Sequence, residues 1–279
     1  VTEDRIVITY DIHDDDPRAV AEAIRDEQTI EFPYDLAPAW IQDQVVGHIE
    51  SIDGSIVQIS YDPRVVAGDL VQLLNVLWGN VSLFRGVRVR DLTLPAALLA
   101  GFRGPRFGVA GLRAMFDAHD RPLVCTALKP MGLPVSELAR SAATLAAAGF
   151  DIIKDDHGLA NQGWAPWHER VHSVSEAVRV ANEQAGTHGR YLPALNVPAD
   201  KLFAAAHEAK QAGAGGLLIL PGLTGYDAMR AIADDDSLGL PIMSHPSFLG
   251  SHVVNPGQGI DHGILLGTIA RLAGADISV

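Results

Sequence analysis

The sequence predicts a small α+β domain followed by an α/β barrel, and three observations carry that prediction. Apolar patterning over the first hundred or so residues runs strand, helix, strand, strand, helix, strand. A Gly/Pro-rich stretch from Leu99 to Gly108 then punctuates the chain. Beyond it, three expected strands are each approached from a helix through the same pair of residues, Ala148-Gly149, Ala212-Gly213 and Ala273-Gly274.

Residues 5–11 read as the first strand. Asp16-Pro17 opens a helix, since aspartate caps a helix and proline is tolerated in its first turn, and Val20, Ala21, Ala23 and Ile24 keep helical spacing. Strands at about 45–50 and 55–61 are joined by an Asp53-Gly54 hairpin turn. After Asp62-Pro63 a second helix is expected to carry Val65, Val66, Leu70, Leu73 and Leu74 on one side. A strand at about 83–90 completes the split β-α-β-β-α-β pattern of the ferredoxin-like fold.

After residue 108 strands are expected near 123–128, 151–155, 191–196, 216–220, 241–244 and 275–279, with helices in the gaps. The Ala-Gly turns recur about 60 residues apart, roughly two β-α units of a TIM-type (β/α)8 barrel. No glycine-rich dinucleotide fingerprint follows the first strand, which favours a barrel over an open doubly wound sheet. The expected domains are thus 1–108, ferredoxin-like α+β, and 109–279, a barrel domain. Six strands do not close such a barrel, so the sequence reads as truncated after its sixth strand, without the C-terminal strands that commonly carry a barrel's phosphate site.

With 48% hydrophobic residues in 279, the chain can bury a sizeable core. Its formal net charge of -13 argues against nucleic acid as a partner, because affinity for a phosphate backbone comes from clustered Lys and Arg. The single cysteine, Cys125, excludes an internal disulfide framework; inside the apolar run 122–128 it is expected to be a buried packing residue. No segment reaches the roughly 18 apolar residues of a spanning helix, and a cytoplasmic protein without a membrane partner is expected.

The segment from Phe150 to His157 carries the chemistry: an apolar strand ends in Lys154, Asp155, Asp156 and His157. Acids and a lysine at the C-terminal end of a parallel strand stand where barrel enzymes collect catalytic groups, and oxygen ligands there suit a hard divalent cation. The plainer reading is a solvated strand end with a chance ion pair.

Together, the segments Thr126-Ala-Leu-Lys-Pro130, Lys154-Asp-Asp156 and Trp78-Gly-Asn-Val81, set in an α+β domain and a barrel, resemble the large subunit of ribulose bisphosphate carboxylase, and more closely its RuBisCO-like relatives, which do not fix carbon dioxide. The resemblance implies that Lys129 handles the substrate proton, and its apolar neighbours Leu128, Pro130 and Met131 are expected to desolvate it. It implies that Lys154 forms a carbamate and, with Asp156, holds a divalent metal, magnesium in the family. The family's third ligand, a glutamate, is His157 here, a nitrogen that suits a transition metal better or serves as a general acid or base. Glu27 and Asn80 match residues that reach the active site of a neighbouring subunit, which implies at least a homodimer. His245 matches a substrate-contacting histidine; Asn196 is a further substrate-binding candidate. Read without the resemblance, Lys129 is a surface lysine at a helix start, Glu27 a helix-surface acid, Asn80 a turn former and Asn196 a helix cap.

Met131 stands where the family has a second lysine and Pro246 where the carboxylases have a phosphate-binding arginine. The expected function is accordingly enediolate chemistry on a phosphorylated sugar or sugar acid, by a decarboxylase, transcarboxylase, enolase or isomerase, and not carbon fixation. The run from Lys154 to Gly158 followed by Asn161-Gln162 looks closer to the sugar-acid group. The competing reading is a catalytically silent barrel with a binding or regulatory role, kept alive by His157.

Overall fold

The computed structural model describes residues 4–279, which divide into two compact units. One runs to Arg103 and takes in Phe248–Ile269; the other comprises Gly104–Ser247 and Ala270–Val279. None of the described helices is long and apolar enough to cross a membrane.

In the first unit, β1 (Ile6–Ile12), β2 (His48–Asp53), β3 (Ile56–Tyr61) and β4 (Val87–Thr93) form an antiparallel sheet in the order β4-β1-β3-β2. Alternation explains its buried face: Ile6, Ile8, Tyr10 and Ile12 of β1 are all buried. The helix Pro17–Glu27 starts where expected, with the Asp16 carboxylate accepting from Ala19 N at 3.0 Å. The second expected helix is interrupted. Only a short turn spans Pro63–Val65, then Ala67 and Gly68 take positive φ (53° and 72°), and the helix begins afresh at Leu70–Trp78 under an Asp69 cap. Apolar spacing alone carried Val65 through to Leu74 and could not show a left-handed alanine.

In the second unit, β5 (Cys125–Leu128), β6 (Ile152–Asp155) and β7 (Arg190–Leu192) are parallel, as are β8 (Leu217–Ile219), β9 (Ile242–Ser244) and the last strand, Ile277–Ser278. A parallel bridge between Ala194 and Leu218 joins the two sets, so six strands follow one another in chain order. The third is shorter than its expected 191–196, because Pro193 has no N–H to continue the ladder. All three Ala-Gly turns have the same geometry. Gly149, Gly213 and Gly274 take φ of 87°, 90° and 83°, and the residue after each donates to the carbonyl five positions back, as Phe150 N does to Leu145 O at 3.1 Å.

Alternate residues of the strands enter different clusters: Ile152, Leu192, Leu218 and Met243 pack with Leu112 and Phe116, whereas Ile153 and Tyr191 pack with Leu138, Val174 and Val178. Cys125 departs from its expectation: it is exposed, and among the described residues β5 pairs only with β6.

The expected boundary at residue 108 differs from the contact division, which breaks after Arg103 and returns 248–269 to the first unit. The cause is a tenth strand in chain order, β10 (Gly259–Ile260), which pairs in parallel with β4, and the buried Arg88, whose guanidinium donates to Asn255 O at 2.5 Å and Val253 O at 3.3 Å. The strand Ile277–Ser278 is then β11.

Candidate active site

The ends of β5, β6 and β9 bring Lys129, Asp156, His157 and His245 together. In the pairing of β5 with β6, Ala127 lies opposite Lys154 and Leu128 opposite Asp155, so the residues that follow leave side by side. Lys129 Nζ stands 3.4 Å from Asp156 Oδ1, and His157 Nδ1 lies 3.4 Å from the same oxygen. The His157 ring stacks on that of His245, which follows β9 directly.

Burial separates the two lysines. Lys154 is 8% exposed, and that burial, with the nearby Lys129 ammonium adding to it, lowers its pKa against the opposing pull of Asp156. Lys129, which the sequence led us to expect desolvated, has a side chain 63% exposed. Met131 is itself 48% exposed, and its terminal methyl lies against Gly158. Burial alone would raise the Asp156 carboxyl, but Lys129, His157 and Lys154 together hold it below the usual carboxylate range. Burial, then Lys154 and His157, pulls the His245 imidazole from 6.5 to about 4. Its Nδ1 accepts from Ser247 N at 3.2 Å, which leaves Nε2 to carry the proton of the neutral ring.

Asn196 does not cap the helix after it. Its amide donates to His157 O at 2.5 Å and Leu159 O at 3.2 Å, strapping down the loop that carries His157. Asn161 and Gln162 are likewise committed to that loop: Asn161 Oδ1 accepts from Trp167 N at 2.8 Å and Gln162 Nε2 donates to Gly158 O at 2.8 Å.

In the other unit, Gln28 donates to Val76 O at 2.6 Å and Asn75 O at 3.0 Å, tying the C-terminal ends of two helices together. That contact sets Asn80 Nδ2 2.8 Å from Glu27 Oε1, both side chains lying at the surface.

Residues 108–277 match the sequence profile of the ribulose bisphosphate carboxylase large chain, catalytic domain. Over 92% of its length the chain is 38% identical to the 5-methylthioribulose-1-phosphate isomerase of Rhodospirillum rubrum, of which it covers 69%. The crystal structure of a Rubisco-like protein from Rhodopseudomonas palustris superposes with a TM-score of 0.89 at 35% identity, over 99% of this chain and 77% of that one. The chain belongs to the RuBisCO-like branch of the ribulose bisphosphate carboxylase large-chain family. The chain is also 31% identical, over 97% of its length, to the 2,3-diketo-5-methylthiopentyl-1-phosphate enolase of Geobacillus thermodenitrificans, of which it covers 71%.

One supporting element of this RuBisCO-like site escaped the sequence reading. Asp155 was counted among the strand-end groups, yet strand alternation turns it away from Lys154 and Asp156. It is fully buried, bonded to Arg170 Nε at 3.2 Å, Tyr191 OH at 2.7 Å and Ala194 N at 3.1 Å. Arg170, also fully buried, donates onward to Ala160 O and Ala165 O, both at 2.8 Å, so the pair braces the loop after β6 from behind. Asp155, one position from Lys154, gave a signal; an arginine inside an amphipathic helix gave none.

Proposed function

We propose that this RuBisCO-like protein is an enzyme that moves a proton at the carbon beside the carbonyl of a phosphorylated ketose, an enolisation or isomerisation without carboxylation. The observation that carries this reading is the Lys129–Asp156 pair at 3.4 Å, flanked by the buried Lys154 and the His157–His245 stack at one set of strand ends. Proton transfer at carbon needs a base beside a group that stabilises the enolate oxygen, and this cluster offers both. Lys129 is the proton-transfer group in this reading, and the neutral His245 donates Nε2–H to a substrate oxygen. Two relatives named for an isomerase and an enolase of methylthio-sugar phosphates support that substrate class. Asn161 and Gln162, which had pointed to a sugar acid, are spent on loop structure.

The donor set fits a divalent ion. Burial lowers the pKa of Lys154 toward the neutral amine that carbamate formation requires, and the lysine sits beside a carboxylate held ionised. Lys154 as its carbamate, Asp156 and His157 would hold magnesium, or a metal better suited to an imidazole, and the ion would polarise the substrate carbonyl. Glu27 and Asn80 serve, in this reading, the strand-end site of a second copy of the chain, so a homodimer is the smallest active unit.

Proton NMR in D2O tests the proposal, with 5-methylthioribulose 1-phosphate or 2,3-diketo-5-methylthiopentyl 1-phosphate as substrate in the presence of Mg²⁺ and bicarbonate. Deuterium at the carbon next to the carbonyl, with conversion of one of the two, is expected. Neither exchange nor conversion with both compounds, or incorporation of labelled carbon dioxide into ribulose bisphosphate, would overturn it.

A further inference from the structure

Away from the strand ends, the helix Trp167–Ala185 presents His168 and His172 to solvent, and Glu208 meets them from the next helix, Leu202–Gln211. Residues four apart share one helix face, so the two imidazoles converge: their centroids lie 4.6 Å apart with the rings tilted by 50°. His168 Nδ1 bonds the Glu208 carboxylate, and His172 Nε2 lies 3.9 Å from the same Glu208 Oε1. One ligand atom from each residue lies within 4.8 Å of the other two.

We propose that His168, His172 and Glu208 form a binding site for a borderline divalent transition ion, Zn²⁺ foremost, that clips these two helices together. Donors at about 2.0–2.1 Å from a tetrahedral ion stand about 3.4 Å apart, so the wider pairs must close by up to about 1.4 Å while the bonded His168–Glu208 pair opens. The His168 and His172 side chains, 70% and 47% exposed, have room to do so. Two neutral nitrogens and one carboxylate oxygen leave a fourth position for water and disfavour magnesium, which takes oxygen ligands. The site shares no residue with the Lys154–Asp156 group, and an ion held from both helices stabilises only the state in which they are packed.

The test is titration of chelator-treated protein with Zn²⁺ alone, followed by calorimetry and by competition with a chromophoric chelator. The wild type, a His168→Gln/His172→Gln variant and Asp156→Asn are compared, each checked for native circular dichroism. One zinc equivalent should disappear from the double-histidine variant, with affinity at that position falling more than about 100-fold, beyond what loss of an outer partner typically causes. The same equivalent should persist in Asp156→Asn and resist excess Mg²⁺. Retention of that equivalent at unchanged affinity in the double variant, its displacement by Mg²⁺, or no zinc bound by the wild type would overturn the proposal.

Discussion

The imidazoles of His157 and His245 stack with centroids 5.0 Å apart and planes 19° from parallel, which puts a nitrogen base at the end of β6 against another at the end of β9. Burial, reinforced by Lys154 and His157, brings His245 down to about 4 in the folded chain, against 6.5 when unfolded. Between those values the unfolded chain binds a proton that the folded chain does not. The contribution of His245 to stability is therefore complete above pH 6.5 and lost as pH falls toward 4. Urea midpoints of metal-free protein across that window should decline with falling pH, and His245→Gln should flatten the decline. An unchanged slope in the variant would assign the proton to another group.

Asp155 and Arg170 form a fully buried ion pair whose carboxylate also holds Tyr191 and the Ala194 amide. Removing one partner leaves an uncompensated charge, so Arg170→Leu should lose about 3–5 kcal/mol. Tyr191→Phe removes one of several donors to the same carboxylate and should lose about 1.5–3 kcal/mol. Denaturant unfolding measures both. Equal losses would mean that the hydroxyl matters as much as the charge.

Much of the architecture was legible because its signals are local. Asp16-Pro17, Asp53-Gly54 and the three Ala-Gly turns each fix backbone geometry within a few residues, and the structure has a helix start, a hairpin and three left-handed glycines there. The misread parts depend on distant partners. Lys154 is buried because β6 runs between β5 and β7, and the return of 248–269 to the first sheet depends on Arg88, some 165 residues away in sequence. The association of Lys129, Asp156, His157 and His245 was foreseen only through strand ends and resemblance, since no spacing rule links residues on β5, β6 and β9.

The repeated turns give a controlled comparison. Alanine at a position of strongly positive φ loses about 1–2 kcal/mol from backbone strain alone. At Gly149 an added Cβ meets no atom within 4 Å, so Gly149→Ala should show little beyond that strain. At Gly274 the same atom would collide with Ala233 Cβ, so Gly274→Ala should lose about 1–3 kcal/mol more. Thermal or denaturant unfolding should rank Gly274→Ala well below Gly149→Ala. The reverse order would show that the helix above Gly274 yields freely.

Lys129 and Glu27 lie in different units of the chain, and the proposed homodimer pairs each with a residue of the other copy. Replacing the proton-transfer group should lower the rate about 10²–10⁴-fold, so Lys129→Met should lose deuterium incorporation by that factor while keeping native circular dichroism. If Glu27 serves the second copy's site, a mixture of inactive Glu27→Gln and inactive Lys129→Met chains, allowed to exchange subunits, forms heterodimers in which one of the two sites carries neither lesion. Such a mixture should regain up to about a quarter of wild-type activity at equal proportions, because half of the dimers are mixed and each has one intact site. Exchange shown by mass-tagged subunits without any return of activity would place Glu27 and Lys129 in the same site of one chain, or outside the site altogether.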